Sequence, residues 1–263
     1  MVEKLFEELS GLPQIEAIAL GGSRAGENYD EKSDYDVYLY CTGDVDIEVR
    51  KEILSKYCDV MELGNHFWEL EDNCVLKNGI DIDILYRNLD DFVEDVASVV
   101  EKCQERNGYT TCMWHNLCTC KVIYDENNRL TKAKKRFDVS YPAELKKNIV
   151  ERNMKLLYKG LPAYSGQVLK AAGRDDKISV IHRSAGFFES YFDIIFAINE
   201  MTHPGEKRMV SICVKECKIL PEDFEKNIDE YYENMFKGKN AIEGTLEKIV
   251  KNLQKVVDNL KLW

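Results

Sequence analysis

The chain has 263 residues, 44% of them hydrophobic, enough for a sizeable buried core and for two domains of ordinary size. Its formal net charge of −11 argues against a protein that coats nucleic acid, because phosphate contacts draw on clustered Lys and Arg. No apolar run approaches the roughly 20 residues that cross a bilayer. The longest candidate, "GFFESYFDIIFAI", is broken by Asp193, so a soluble chain with no membrane partner is expected.

In chain order, the first part alternates element types. A helix is predicted over 2–9, a buried strand over 15–20, a strand over 35–40 and a charged helix over about 46–57. Further strands are predicted at about 67–76 and 79–86. In "GIDIDILYR", alternation places Ile80, Ile82 and Ile84 on one face and Asp81, Asp83 and Leu85 on the other. A helix over 89–105, a short segment at 112–118, a strand over 121–125 and a turn at "ENNRL" leading into a helix follow.

From Pro142 onward the spacing is helical, with Leu145, Ile149 and Leu156 in register. The segment 178–200 is apolar around most of its circumference and is predicted to be the central buried helix; helices near 206–218, 221–237 and 240–260 follow. The fold class is therefore expected to be α+β: a small mixed β-sheet domain flanked by helices over 1–138, then an all-helical domain over 139–263. Nine irregularly spaced cysteines and an amino-terminal stretch without an apolar core imply reduced thiols and a cytoplasmic location.

The chemistry concentrates in "GGSRAGENYDEKSDYDVYLY". A strand running into Gly22 and Ser23 offers backbone N–H groups and a hydroxyl to anionic oxygen at a helix start. Asp34 and Asp36 leave one face of the next strand, and carboxylates that close repel unless a cation lies between them. Magnesium suits such a site, being held by carboxylates together with substrate phosphates. A third acid, Asp83, would admit two ions, a pair that serves in-line displacement at an α-phosphorus. Asp81 shares its face and takes its place if the register shifts by two residues.

Gly22-Ser23, Asp34-Tyr35-Asp36 and Asp83 resemble the signature of the DNA polymerase beta-like nucleotidyltransferases: Gly-Ser, about ten residues, Asp-x-Asp, then a distant strand acid. "GGSRA", "SDYDVYLY", "IDILYR" and "IFAIN" are similar to the stand-alone bacterial branch related to lincosamide and aminoglycoside nucleotidyltransferases, over about residues 15–202. The resemblance implies a nucleotidyltransferase domain over 1–138 and a helical bundle over 139–263 that contributes to the substrate cleft. It implies that Ser23 holds the β- and γ-phosphates with Gly22 and Arg24 beside it, that Asp34 and Asp36 hold both magnesium ions, and that Asp83 holds the one nearest the nucleophile.

The activity so implied is magnesium-dependent transfer of a nucleoside monophosphate, AMP from ATP, to a hydroxyl of a small molecule, an antibiotic being one candidate. Modification of a protein or a tRNA end, or nucleotide binding without turnover, are the alternatives. Relatives that share a cleft between subunits make a homodimer the assembly to test.

Relatives that modify antibiotics take a general base from the helical domain. Here His182, Glu189 and Asp193 form a polar stripe on the predicted central helix, with Glu189 the candidate base and bonding to neighbouring helices the alternative. Cys112, His115, Cys118 and Cys120 are zinc-capable types at a spacing unlike the usual Cys pairs, and burial against the 121–125 strand is the expected role. Lys132, Lys134, Lys135 and Arg136 are candidates for triphosphate contacts, a solvated helix face being the alternative.

Overall fold

The structure is a computed structural model that describes residues 1–26, 33–67 and 69–262. The chain clusters into two compact units, Met1–Ala97 with Asn116–Val139, and Ser98–His115 with Ser140–Trp263. Residues 98–115, which the sequence pattern groups with the first domain, thus belong to the helical unit. Hydrogen bonds explain this: Asn148 Nδ2 donates to the Cys103 carbonyl (2.9 Å), the Thr110 N–H donates to Asp193 Oδ1 (3.0 Å), and the His203 N–H donates to Thr111 Oγ1 (2.8 Å).

The first unit is built on six strands, β1 (Ile15–Leu20), β2 (Tyr35–Cys41), β3 (Cys58–Asn65), β4 (Leu70–Leu76), β5 (Asp81–Asn88) and β6 (Lys121–Asp125), in the order β3-β4-β5-β2-β1-β6. Neighbours run antiparallel except β2 and β5, which are parallel. One face carries Ile18, Leu20, Val37, Leu39, Ile82 and Ile84. These pack in one core with Leu5, Phe6 and Leu9 of α1 (Val2–Ser10) and Ile53 and Leu54 of α2 (Ile47–Leu54). Each such side chain fully buried contributes about 1.5–3 kcal/mol, which makes this face the one that fixes the register.

The other face carries Ala17, Ala19, Asp36, Tyr38, Tyr40, Asp83 and Arg87. Small alanines on β1 leave room for the tyrosine rings opposite them. Phe92 of α3 (Leu89–Val100) covers the Tyr40 end, with ring centroids 5.5 Å apart. Burial therefore falls along β2 from Tyr40, which is inaccessible, to Asp36, which is partly open.

β3 is a strand that the hydrophobic pattern does not reveal, and α2 ends at Leu54 rather than near 57. As an edge strand it needs no strict alternation, and Val60 on it is exposed. Glu62 pairs with Asn73 and Asn65 with Glu71, so three steps along β3 match two along β4. Gly64 absorbs the extra residue at φ +74, a conformation that favours glycine. The fully buried Asp72 pins this bulge: it accepts from the Gly64 N–H (2.8 Å), Arg50 Nη1 of α2 (2.5 Å) and the Tyr86 hydroxyl (2.8 Å). Three donors are what a buried carboxylate requires, and removing Arg50 alone would leave its charge uncompensated.

The second unit is helical: α6 (Ala143–Met154), α7 (Tyr164–Ala172), α8 (Lys177–Ile198), α9 (Met209–Glu216), α10 (Phe224–Asn234) and α11 (Lys239–Asn259). α8 is buried almost throughout from Gly186 to Ile198, whereas in its first turns Val180 and Ser184 are buried but Ile178, Ile181 and Ala185 face solvent. Phe187, Phe188, Tyr191 and Phe192 pack with Phe224, Ile228 and Tyr231 of α10 and with Leu246 and Ile249 of α11. Among the described residues no helix is long and apolar enough to cross a membrane, and the nine cysteines are all free thiols.

Two buried titratable groups in this unit oppose one another. Burial pulls His203 down to about 3 from 6.5, with His115 adding to the effect, and burial pushes Asp193 up to about 6 from 3.8 against the bonds from Thr110. As pH falls below 6.5 the unfolded chain protonates His203 first, so its contribution to stability declines. The folded state protonates Asp193 first, so its contribution is present below 3.8 and lost as pH rises through about 6. Urea unfolding from about pH 7 to about pH 4 should show Asp193→Asn losing about 1.4 kcal/mol per pH unit more than the parent through the window set by Asp193. Parallel stability curves would mean that Asp193 stays ionised in its buried position.

Candidate active site

Asp36 and Asp83 are register partners across the parallel β2–β5 pair. Neighbouring strands lie about 4.8 Å apart, and at that separation two carboxylates repel by about 3 kcal/mol at an effective dielectric constant near 20. Asn73 of β4 pairs with Asp83 from the other side, so Asp36, Asp83 and Asn73 form one row across three strands. Its Nδ2 donates to Asp83 Oδ1 at 2.8 Å, and Asn65 Nδ2 donates to Asn73 Oδ1 at 2.6 Å. Asp81 lies two residues nearer the start of β5, pairs with Val75 and is exposed.

The two glycines that follow β1 make room for this row. A Cβ on Gly21 would stand 2.4 Å from the Tyr38 ring, and one on Gly22 would stand 1.8 Å from Asp36 Oδ2. Gly22 also adopts φ 55 and ψ −148, outside the range of ordinary residues. The Gly21 N–H donates to the Asp36 carbonyl at 2.8 Å, which ties the turn to β2. Backbone therefore lies directly over one of the carboxylates. In place of the expected helix start, a single 3₁₀ turn, Ser23–Ala25, follows, with Ser23 exposed.

Arg24 is directed elsewhere than to the carboxylate row. Its Nε donates to the carbonyls of Ser33 (2.7 Å) and Asp34 (3.1 Å), and its guanidinium lies 3.8 Å from the centroid of Tyr35. Tyr35 alternates with Asp36 and packs against the α1 core, so Arg24 braces the start of β2 from the opposite face.

Behind the carboxylates, Arg87 lies 4.3 Å from the Tyr38 ring centroid and grips Glu69 through Nε (2.6 Å) and Nη2 (2.7 Å). Asn116 Nδ2 donates to the Tyr38 hydroxyl at 2.7 Å. Burial pushes that hydroxyl above its ordinary value, with Arg87 opposing, so Tyr38 keeps its proton near neutrality. It serves as a wall beside Asp36.

The donor set suits magnesium, which takes hard oxygen ligands and is commonly held by one or two carboxylates plus the phosphates of a substrate. The absence of a side chain at Gly22 leaves its place to the Asp36 carboxylate, whose Oδ2 can lie against the backbone of the turn beside the polar row. Among the described residues, however, no three His, Cys, Asp or Glu side chains are gathered as a metal-holding group. Asp34, exposed and one residue ahead of β2, does not close with Asp36 and Asp83 into a three-carboxylate cluster. The cysteine-histidine stretch is likewise dispersed. A 2.8 Å hydrogen bond links His115 Nδ1 and Thr202 Oγ1, while the Cys118 and Cys120 thiols donate to the carbonyls of Phe137 (3.8 Å) and Leu117 (3.3 Å).

Other predicted residues have structural partners. Lys134 of α5 (Arg129–Arg136) donates to the carbonyls of Leu117 (2.9 Å), Cys118 (2.9 Å) and Cys120 (2.6 Å). It thereby closes the end of α4 (Cys112–Thr119), where a cation also meets the helix dipole. In the helical unit, His182 is exposed and Asp193 is buried, accepting from Thr110 Oγ1 (2.7 Å) and Asn153 Nδ2 (3.0 Å). Glu189 is half-buried against Gly108, where an added Cβ would come within 2.9 Å of the Glu189 Cβ and 3.2 Å of its backbone carbonyl. Asp36 and Asp83 belong to the first unit and Glu189 to the second.

Sequence reasoning did not find Asn65, Asn73 or Asn116. The one available signal was "EDN" in β4, where adjacent polar residues interrupt a strand and must face opposite sides.

No family model matches the chain, and no curated protein matches it. Among solved structures it is similar to a nucleotidyltransferase-like protein from Exiguobacterium sibiricum 255-15, at 10% identity over 98% of this chain and 75% of that one, with a TM-score of 0.43. It is also similar to an aminoglycoside 6-adenyltransferase from Bacillus subtilis, at 11% identity over 98% of this chain and 90% of that one, with a TM-score of 0.31. Likeness at this level carries no weight for activity.

The Gly22 geometry is directly testable. Gly22→Ala should lower stability by about 1–3 kcal/mol through backbone strain alone, whereas Gly43→Ala, with open space around it and no positive φ, should change it by less than about 0.5 kcal/mol. Thermal unfolding of the two variants side by side checks this, and equal shifts would place the Gly22 backbone in an ordinary conformation.

Proposed function

We propose that the chain is a magnesium-dependent nucleotidyltransferase that moves AMP from ATP to a hydroxyl of a small molecule and releases pyrophosphate. The observation that carries this reading is the register of Asp36 with Asp83 beneath the backbone of Gly22. Two adjacent carboxylates on an open strand end, with glycine held over one of them, are costly for folding and useful for holding a cation against a phosphate. The choice of ATP and of a small acceptor follows the motif resemblance. The net charge of −11 favours a neutral or cationic acceptor over an RNA.

In the reaction, the acceptor oxygen forms a bond to the α-phosphorus while the bond from that phosphorus to the bridging oxygen of the pyrophosphate breaks. The hydroxyl proton leaves to a base, and the electron pair of the broken bond leaves with the pyrophosphate. Bound magnesium would supply charge neutralisation at the phosphates. Asp36 and Asp83 would hold it, Gly22 would let the phosphates approach without a side chain in the way, and Ser23 would offer its hydroxyl to a phosphate oxygen. Tyr38 and Arg87 support the row from behind.

Thermal unfolding with ATP, GTP, CTP or UTP, each with and without Mg²⁺, tests the reading on the intact chain. At a hundred times its Kd a ligand adds about 2.7 kcal/mol, and at about 2–4 °C per kcal/mol the shift is readily measured. A magnesium-dependent shift with ATP that disappears in Asp36→Asn is expected, together with release of pyrophosphate when an acceptor is found. An ATP shift that persists in Asp36→Asn, or that ignores magnesium, would remove the basis for this function.

A further inference from the structure

We infer that Asn73 is a positioning residue that keeps Asp83 a one-oxygen ligand, and that it thereby selects a small octahedral cation over calcium. The inference rests on the reading of Asp36 and Asp83 as the cation-holding pair. The Asn73 Nδ2–H donates to Asp83 Oδ1 at 2.8 Å, which turns that oxygen towards β4 and leaves Oδ2 as the better donor on the side of Asp36. The amide cannot reverse without losing a second bond, because its own Oδ1 accepts from Asn65 Nδ2 at 2.6 Å.

The bond gains its direction from the bulge. Without the extra residue between Glu62 and Asn65, alternation would send the Asn65 side chain to the opposite face, beyond reach of Asn73. Gly64 permits the bulge, and Asp72, neutralised by Arg50, holds its backbone. A buried ion pair on the core face thus fixes an amide on the carboxylate face, and the amide fixes the acid.

The consequence for metal choice follows from coordination chemistry. Calcium takes six to eight oxygens and readily accepts both oxygens of one carboxylate, whereas magnesium and manganese favour six ligands, with single carboxylate oxygens. A carboxylate with one oxygen committed to an amide is biased towards the second group. Outer partners of metal ligands of this kind typically change affinity by about 10–100-fold when removed.

The test uses the full chain with Mn²⁺ read by electron paramagnetic resonance, Ca²⁺ as competitor, and a non-hydrolysable ATP analogue present throughout. Urea midpoints are measured in parallel. In Asn73→Ala the preference for Mn²⁺ over Ca²⁺ should fall about tenfold, with the midpoint little changed; Asn65→Ala should move the same ratio in the same direction by a smaller factor. An unchanged ratio in Asn73→Ala, in a chain where Asp36→Asn and Asp83→Asn do abolish Mn²⁺ binding, would overturn this inference and leave the proposed function standing. If the parent chain binds no Mn²⁺, or binds it equally well after Asp36→Asn, the reading of the carboxylate pair fails and this inference with it.

Discussion

Everything at the carboxylate row depends on one parallel strand pairing. β2 and β5 cannot be joined by a hairpin, and the chain between them makes α2, β3 and β4 before β5 returns beside β2. Asp36 and Asp83 are neighbours only because that excursion closes in the correct register. A slip by one residue would bring Ile82 or Ile84 to the polar face and send Asp83 into the α1–α2 core, a loss of several buried side chains at once. The apolar face therefore specifies the position of the acids on the other side.

The sheet manages negative charge differently on its two faces. On the core side, the fully buried Asp72 accepts from Arg50, Gly64 and Tyr86. On the open side, Asp83 has one donor from Asn73. A single hydrogen bond to a charged group contributes about 1.5–3 kcal/mol, comparable with the repulsion between adjacent carboxylates. Asp72 is a structural anchor, while Asp83 lies on the more open face beside Asp36.

Much of this was legible in the sequence where periodicity was strong. β1 reads as a short, mostly apolar buried strand and β5 as a strictly alternating one, and the alternation of Asp36 with Tyr35 and Val37, like that of Asp83 with Ile82 and Ile84, placed the two acids on faces that could meet. β3 was not legible, since an edge strand with an exposed Val60 and a bulge at Gly64 satisfies no simple period. Arg24 illustrates a different limit: its contacts with the Tyr35 ring and with the carbonyls of Ser33 and Asp34 are ones no spacing rule reveals. Lys134 likewise reads as part of a charge run, yet it closes the end of α4 through the carbonyl of Leu117, seventeen residues earlier in the sequence. Of the polar stripe on α8, Asp193 proved to be bonded to Thr110 and Asn153, partners too distant in the chain for any local pattern.

The interleaving of the two units has a bearing on how the chain could be made or divided. Because Ser98–His115 belongs with Ser140–Trp263, no single cut separates one unit from the other. During synthesis, Thr110 emerges well before Asp193, the acceptor of its N–H and its hydroxyl, and Thr111 before His203, so this segment waits with its polar groups in water until α8 arrives. A fragment ending at Val139 would carry the segment permanently without those partners. Excising the sheet unit alone would instead require replacing residues 98–115 with a short linker between Ala97 and Asn116, a redesign of connectivity rather than a truncation.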